Sequence, residues 1–454
     1  MTDPEESSNP LQNLLGDLLK VVGGATGGMP PWWEAAKSLA YGVATDGAPE
    51  GNADPLERMR LSDLARVAEL HVAEFTGLSL SPDGQPLTFT AAGRGTWSVR
   101  VLEAWRPYLD AMVKAQEGST GLPDIPGLGQ GGFGFGFGFD EQGTDGLQEL
   151  LGRFAVTMGP VLMGLQFGST AGHLARRALG QYAVPLPWPP GHELLVVPEN
   201  IKTFADDWSL PVDQTELWVC IRELTTHAVL GRPHVAERVR DLLREATTEA
   251  AGFQREIADR LGGQVSDPEA LQSIMGDPES LLADLLTPGA RPGSARLTAL
   301  ITALGGYVDH ATTVIAQRLT ASSATLGEAW YRYRIDDAKG EQAAAALFGI
   351  DIGRTEVDRG AAFVKGVLDR AGEDGLARLW SSDRTLPTPA EVDAPGLWLE
   401  RIDLPQDELP GPGARGGPAA AATDEGGSGL DDAGPDDAGS GESDPGTPGP
   451  GQPS

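Results

Sequence analysis

In the second half of the chain, apolar residues return every three or four positions in one block after another: Asp213–Leu230, His234–Leu261, Arg296–Arg318, Glu341–Leu347, Arg354–Ala371 and Glu373–Trp380. That spacing puts the apolar side chains of each block on one face of a helix. Leu56–Phe75, Trp97–Ala115 and Leu147–Leu179 read the same way in the first half, as does a segment opening at Trp32-Trp33-Glu34. Leu194–Val197, bounded by Pro198, is the one short segment read as a strand. A chain so patterned folds as a mainly α protein with a few short strands.

The helical body is expected over residues 30–403, with two flanking segments. Residues 1–29 carry Leu11, Leu14, Leu15, Leu18, Leu19 and Val22, an amphipathic spacing ended by Gly23 and Gly24. Residues 404–454 turn to Gly, Pro, Ala, Ser and acids, with ten carboxylates against the single base Arg415, a composition expected to stay disordered. Inside the body, residues 121–146 alternate Phe133, Phe135, Phe137 and Phe139 with glycines and read as a flexible loop. Gly159, Gly164, Gly168, Ala171 and Gly172 form a small-residue stripe that invites close helix packing.

The formal net charge of −31 argues against nucleic acid, whose phosphates call for surplus Lys and Arg. No apolar run reaches the roughly 18 residues of a membrane span. Met1–Pro10 holds Asp3, Glu5 and Glu6 and no basic n-region, so the expected location is the cytoplasm. Cys220 is the only cysteine, which excludes an internal disulfide and a Cys-rich zinc site. No Gly-x-Ser-x-Gly elbow and no phosphate-cradling loop is present.

The stretch that bears on chemistry is Trp218-Val219-Cys220-Ile221-Arg222-Glu223-Leu224-Thr225-Thr226-His227. In a zinc peptidase helix, two His four residues apart bind the metal together, and the Glu after the first activates the bound water. Arg222 stands at the first His position and Thr226 at the second. A guanidinium keeps its proton and repels a divalent cation by several kcal/mol at intermediate dielectric.

In the order of its pieces the chain resembles the zincin-like bacterial metallopeptidase family, from about Pro30 to Ile402. The pieces are Trp33-Glu34 with Ser38-Leu39-Ala40, then Leu179-Gly180-Gln181-Tyr182, a strand Val196-Val197-Pro198-Glu199-Asn200-Ile201, and the helix above. Ala362-Phe363-Val364, Gly375-Leu376, Trp380 and Leu386-Pro387-Thr388 complete them. The resemblance implies a zincin-like helical fold, a zinc cofactor, hydrolysis of peptides, and Glu223 as general base. It also implies a later Leu-Glu-Gly-His-type segment, for which Leu304-Gly305-Gly306-Tyr307-Val308-Asp309-His310 stands, with Gly305 at the ligand carboxylate. A one-residue insertion would instead bring His227 to the second His position, still without a first.

Glu223 and His227, spaced i and i+4, share a helix face and are candidates to hold a cation with Asp309, His310 or His234. Three functions therefore stand side by side. The chain is a zinc-dependent hydrolase with Glu223 as base, a hydrolase with a rearranged set of Glu223, His227, Asp309 and His310, or a catalytically silent relative. The silent relative would bind a peptide or protein partner, with Arg222 gripping a carboxylate. Three substituted ligand positions favour it. His71, His173 and His192 read as surface or core residues.

Overall fold

The computed structural model describes residues 31–51, 54–81, 84–117, 144–264, 292–335 and 339–404. The expectations for residues 1–29, for most of the Gly/Phe segment and for the acidic tail fall outside these. In chain order the elements are α1 (Pro31–Thr45), α2 (Pro55–Thr76), β1 (Thr88–Ala91), α3 (Arg94–Glu117), α4 (Thr144–Ala175) and β2 (Glu193–Val196). There follow α5 (Pro198–Asp207), α6 (Val212–Leu230), α7 (Pro233–Gln264), α8 (Pro292–Leu319), α9 (Ser323–Ile335), α10 (Lys339–Leu347) and α11 (Arg354–Ala377). Two short helices, α12 (Pro389–Asp393) and α13 (Pro395–Asp403), end the described chain. Among the described residues the fold is mainly α, with two four-residue strands.

Helix ends follow local chemistry. Asp54 caps α2, its carboxylate accepting the Leu56 N–H at 2.9 Å, and Gly77 closes that helix at φ 63°. In α11 the backbone leaves helical geometry at Gly372, where φ is 65°, which is why the pattern breaks between Ala371 and Glu373.

Two readings of the sequence are corrected here. The strand that the family resemblance carries through Ile201 stops at Val196, because Pro198 fits the first turn of a helix, where its missing N–H is no loss. The loop expected to Gly146 gives way to α4 at Thr144. Helices α5 and α9 and strand β1 had not been expected at all.

The small-residue stripe does its work against α1. A Cβ at Gly164 or Gly168 would strike the Trp32 or Ala36 carbonyl oxygen, so α1 and α4 approach to backbone contact. Gly159 lies outside that contact, with nothing near it. Trp33, Trp97, Trp105, Trp218, Trp380 and Trp398 are all fully buried. Each removes roughly 4–6 kcal/mol worth of apolar surface from water before entropy is counted.

β1 and β2 pair in parallel, Thr88 opposite Glu193 and Ala91 opposite Val196. The Val197 N–H donates to the Leu179 carbonyl at 3.0 Å, and the Trp97 indole N–H reaches the Gly180 carbonyl at 3.1 Å. These bonds fix the turn Leu179–Tyr182 beside α6. Helix α6 is buried on nearly every side, with polar Thr215, Glu216, Glu223, Thr225 and Thr226 as deeply enclosed as its leucines. Helix α8 crosses α6 and meets α11 at Gly306, where a Cβ would strike the Gly360 carbonyl. No helix among the described residues is long and apolar enough to cross a membrane.

Candidate functional site

Several polar groups on α6 have definite partners. Thr225 and Thr226 turn their hydroxyls back on the helix, donating to the Ile221 and Arg222 carbonyls at 2.8 and 2.9 Å. The Thr226 oxygen therefore serves its own helix.

Glu223 points at the turn before β2. Its Oε2 accepts the Tyr182 N–H at 2.9 Å, and only 4% of the residue is exposed. Gly180 makes room for it, since a Cβ there would clash with the carboxyl group. Burial raises the Glu223 pKa to about 7, against the opposing pull of the Tyr182 amide, the Arg222 charge and the Gln181 amide.

His227, one turn on, shares that face and that neighbour: its Nδ1 stands 2.9 Å from the Tyr182 hydroxyl. Burial lowers its pKa to about 4; the Leu80 backbone opposes this and His192 adds to it. The i, i+4 spacing thus brings both residues to Tyr182, which stands between two cavities. Glu223 lines one with Arg222, and His227 lines the other with His192 and Trp188.

On the neighbouring face, Arg222 crosses from α6 to α8, its Nη1 2.5 Å from Oδ1 of Asp309. Arg334 on α9 takes the second oxygen of the same carboxylate, Nη1 to Oδ2 at 2.7 Å. Trp330, one turn before Arg334, lies under Arg222 with its ring centre 4.4 Å from the guanidinium carbon, a cation–π contact. Burial works against the Asp309 charge, but Arg334 and Arg222 outweigh it and hold its pKa below the ordinary value. For Arg222 burial dominates and lowers the pKa, with Asp309 opposing; a guanidinium stays protonated throughout.

Asp309 and His310 are consecutive and diverge. His310 Nε2 bonds Glu373 Oε1 at 2.9 Å beside Phe75, away from Arg222. His234 sits at the start of α7 against Trp380. Gly305 offers no donor, and the space where its side chain would be faces Arg334 Nη2 at 3.7 Å.

A zinc ion takes three or four nitrogen, sulfur or oxygen donors around one point. At this place the structure puts a guanidinium, a hydroxyl engaged with its own helix, a glycine, and a carboxylate with both oxygens taken by arginines. That donor set does not fit zinc. Among the described residues no group of three or more His, Cys, Asp and Glu side chains is arranged to hold a metal ion.

Sequence reasoning missed Arg334, Trp330 and Tyr182 as parts of this site. Trp330, Tyr333 and Arg334 stand at i, i+3 and i+4 and so share a face of α9, a signal available in Trp330-Tyr331-Arg332-Tyr333-Arg334.

Comparison with known proteins agrees with this architecture. A crystal structure from Chloroflexus aurantiacus, described as that of a candidate hydrolase with a novel fold, matches at a TM-score of 0.50 and 20% identity. The match covers 82% of this chain and 99% of that one, and it speaks to the fold alone. A search of curated proteins returns no match. The sequence profile of the zincin-like metallopeptidases matches residues 32–399, most of the chain and the whole of the site just described. The chain belongs to the zincin-like metallopeptidase family.

Proposed function

We propose that this chain is a catalytically silent member of its family, a binding or regulatory module in which an arginine takes the place of the metal. One observation carries the reading: Arg222 stands at the first ligand position of the motif helix and is 2.5 Å from Asp309 across the cavity. The positive charge that a hydrolase of this kind draws from solution is supplied by the chain itself. With the cation covalently tethered, no exchangeable metal and no activated water are needed to keep α6, α8 and α9 together. The partner proposed is a peptide or protein in the cytoplasm, held in the cleft rather than cut.

A second reading has its own support. A pKa of about 7 suits Glu223 to general-base work near neutral pH, as in a hydrolase with a rearranged ligand set. Its engagement with the Tyr182 amide favours the first reading, since a base held this way braces a turn.

Metal content separates them. Untagged protein is dialysed against trace zinc and bound metal is counted by elemental analysis, with a Glu223→Ala, His227→Ala double variant alongside. The silent reading expects no more than background zinc in either protein. Near-stoichiometric zinc that disappears in the double variant would replace it with the rearranged hydrolase.

A further inference from the structure

The Arg222 side of the cavity carries an unbalanced charge. Glu341 faces the cavity paired with Arg177 at 2.9 Å, and Glu356 faces it paired at 3.1 Å with Arg359, which also holds Asp393. Asp309 is one carboxylate shared by two guanidiniums, Arg222 and Arg334, which leaves that cluster with one positive charge. Glu223 is engaged by the Tyr182 amide, and Asp351 lies out at the exposed rim.

The donors are unbalanced as well. A guanidinium presents five N–H groups in a planar fork. Arg222 and Arg334 each make a single hydrogen bond to Asp309 through Nη1. Their Nε and Nη2 groups have no acceptor among the described residues, and none of these atoms is sealed from solvent. Arg334 Nη2 looks across the empty side-chain position of Gly305. A carboxylate placed there would meet the open edge of Arg334 and restore the neutrality that Asp309 alone does not provide.

Much of the remaining wall is apolar, with Leu179, Ile301, Leu304, Val308, Ile352 and Val357 beside Thr226, Thr302 and Tyr333. The space is about 80 Å³, room for a few waters, or for a carboxylate on a short apolar stem in their place. A dianion would overshoot the single spare charge.

We propose that this cavity is a binding site for a monocarboxylate with a short branched apolar stem, gripped by Arg334 and Arg222. The proposal rests on the reading that Arg222, rather than a metal, occupies the site. Both the C-terminus of a peptide ending in an aliphatic residue and a small aliphatic acid have this chemistry.

Saturation-transfer NMR and calorimetry on the full chain test it with 4-methylpentanoate and its neutral isostere 4-methylpentanamide. N-acetyl-glycyl-leucine and its C-terminal amide form a second pair, and zinc is counted in the same samples. The acid of a pair is expected to bind at least tenfold more tightly than its amide. Arg334→Gln should erase that preference, Arg334→Lys should keep part of it, and Arg332→Gln, on the exposed side of α9, should keep all of it. Tighter binding of the dipeptide acid than of 4-methylpentanoate assigns a peptide C-terminus, and the reverse assigns a free acid. Circular dichroism checks that each variant is folded.

Acid and amide binding alike, neither binding, or a preference that survives Arg334→Gln would overturn the proposal. In zinc-free protein any of these leaves the silent reading standing. Acid binding that requires stoichiometric zinc and is lost on chelation would overturn both.

Discussion

Glu223 fills the space that Gly180 leaves empty: a Cβ at Gly180 would clash with the Glu223 carboxyl carbon. Turn and helix are therefore complementary at one point, and the point can be probed from either side. Gly180→Ala should destabilise the protein by about 1–3 kcal/mol, the range for overpacking an enclosed site. Adding Glu223→Ala should recover part of that loss, because it vacates the contested volume. Urea unfolding midpoints of the two single variants and the double variant read the coupling, and strict additivity would refute the contact.

The proton on Glu223 should be visible in stability. Its pKa is about 7 in the folded protein against an ordinary 4.5, so between those values the native state holds a proton that the unfolded chain has released. Stability from this group is present in full below pH 4.5 and is lost as pH rises through 7. Glu223→Gln should remove that slope, a difference of up to roughly 3 kcal/mol between wild type and variant across the window.

His227 has the opposite sign. Its pKa is about 4 in the folded protein against an ordinary 6.5, so the unfolded chain binds the extra proton and stability is lost as pH falls through that window. In wild type the two groups oppose each other between pH 4.5 and 6.5. Chemical denaturation of Glu223→Gln should expose a steeper loss toward acid than wild type shows, and His227→Gln should show the reverse.

Asp309 keeps two guanidiniums at peace, so Asp309→Asn should cost more than the loss of one surface pair. Removing one partner of a buried ion pair costs about 3–5 kcal/mol. The Asp309 side chain is 32% exposed, which brings the expectation down to roughly 2 kcal/mol. Combining it with Arg222→Met should return part of the loss, because one unpaired cation is then gone. Equal stability of Asp309→Asn and wild type would show that the network contributes nothing.

A zinc-binding pair can be written into α6. Arg222→His with Thr226→His places two imidazoles four residues apart, with Glu223 after the first and Asp309 facing the first from α8. Bound zinc should rise from background in wild type to near one per chain in the double variant, read by elemental analysis. Failure of a folded double variant to take up zinc would mean that α6 and α8 lack the spacing of a metal centre.

Much of this fold was legible in the residues. Pro211 and Gly231 bracket α6, so its reading as Asp213–Leu230 misses the observed Val212–Leu230 by one residue. The interrupted pattern around Gly372 marked a real departure from helical geometry. Such features depend on backbone preferences and apolar spacing within a few residues, which a linear sequence carries in full. The i, i+4 relation of Glu223 and His227 was legible for the same reason.

What the residues alone left open is which side chains meet across the core. The i, i+4 rule placed Glu223 and His227 together but was silent about Tyr182, whose amide and hydroxyl take one each. Asp309 and His310 look like a pair in the sequence, yet helical rotation sends one to Arg222 and the other to Glu373. Strand β1 was invisible because four residues become a strand only when Glu193–Val196, about a hundred positions later, supplies the hydrogen-bond partners. Arg334 had no sequence signal tying it to Arg222, which lies far away along the chain on another helix. The sequence by itself determined most of the long helices and that Arg222 and Glu223 stand side by side on one of them. Only the tertiary structure decided that this arginine shares one carboxylate with Arg334, because partners 87 and 25 residues from their acceptor are chosen by packing and not by local preference.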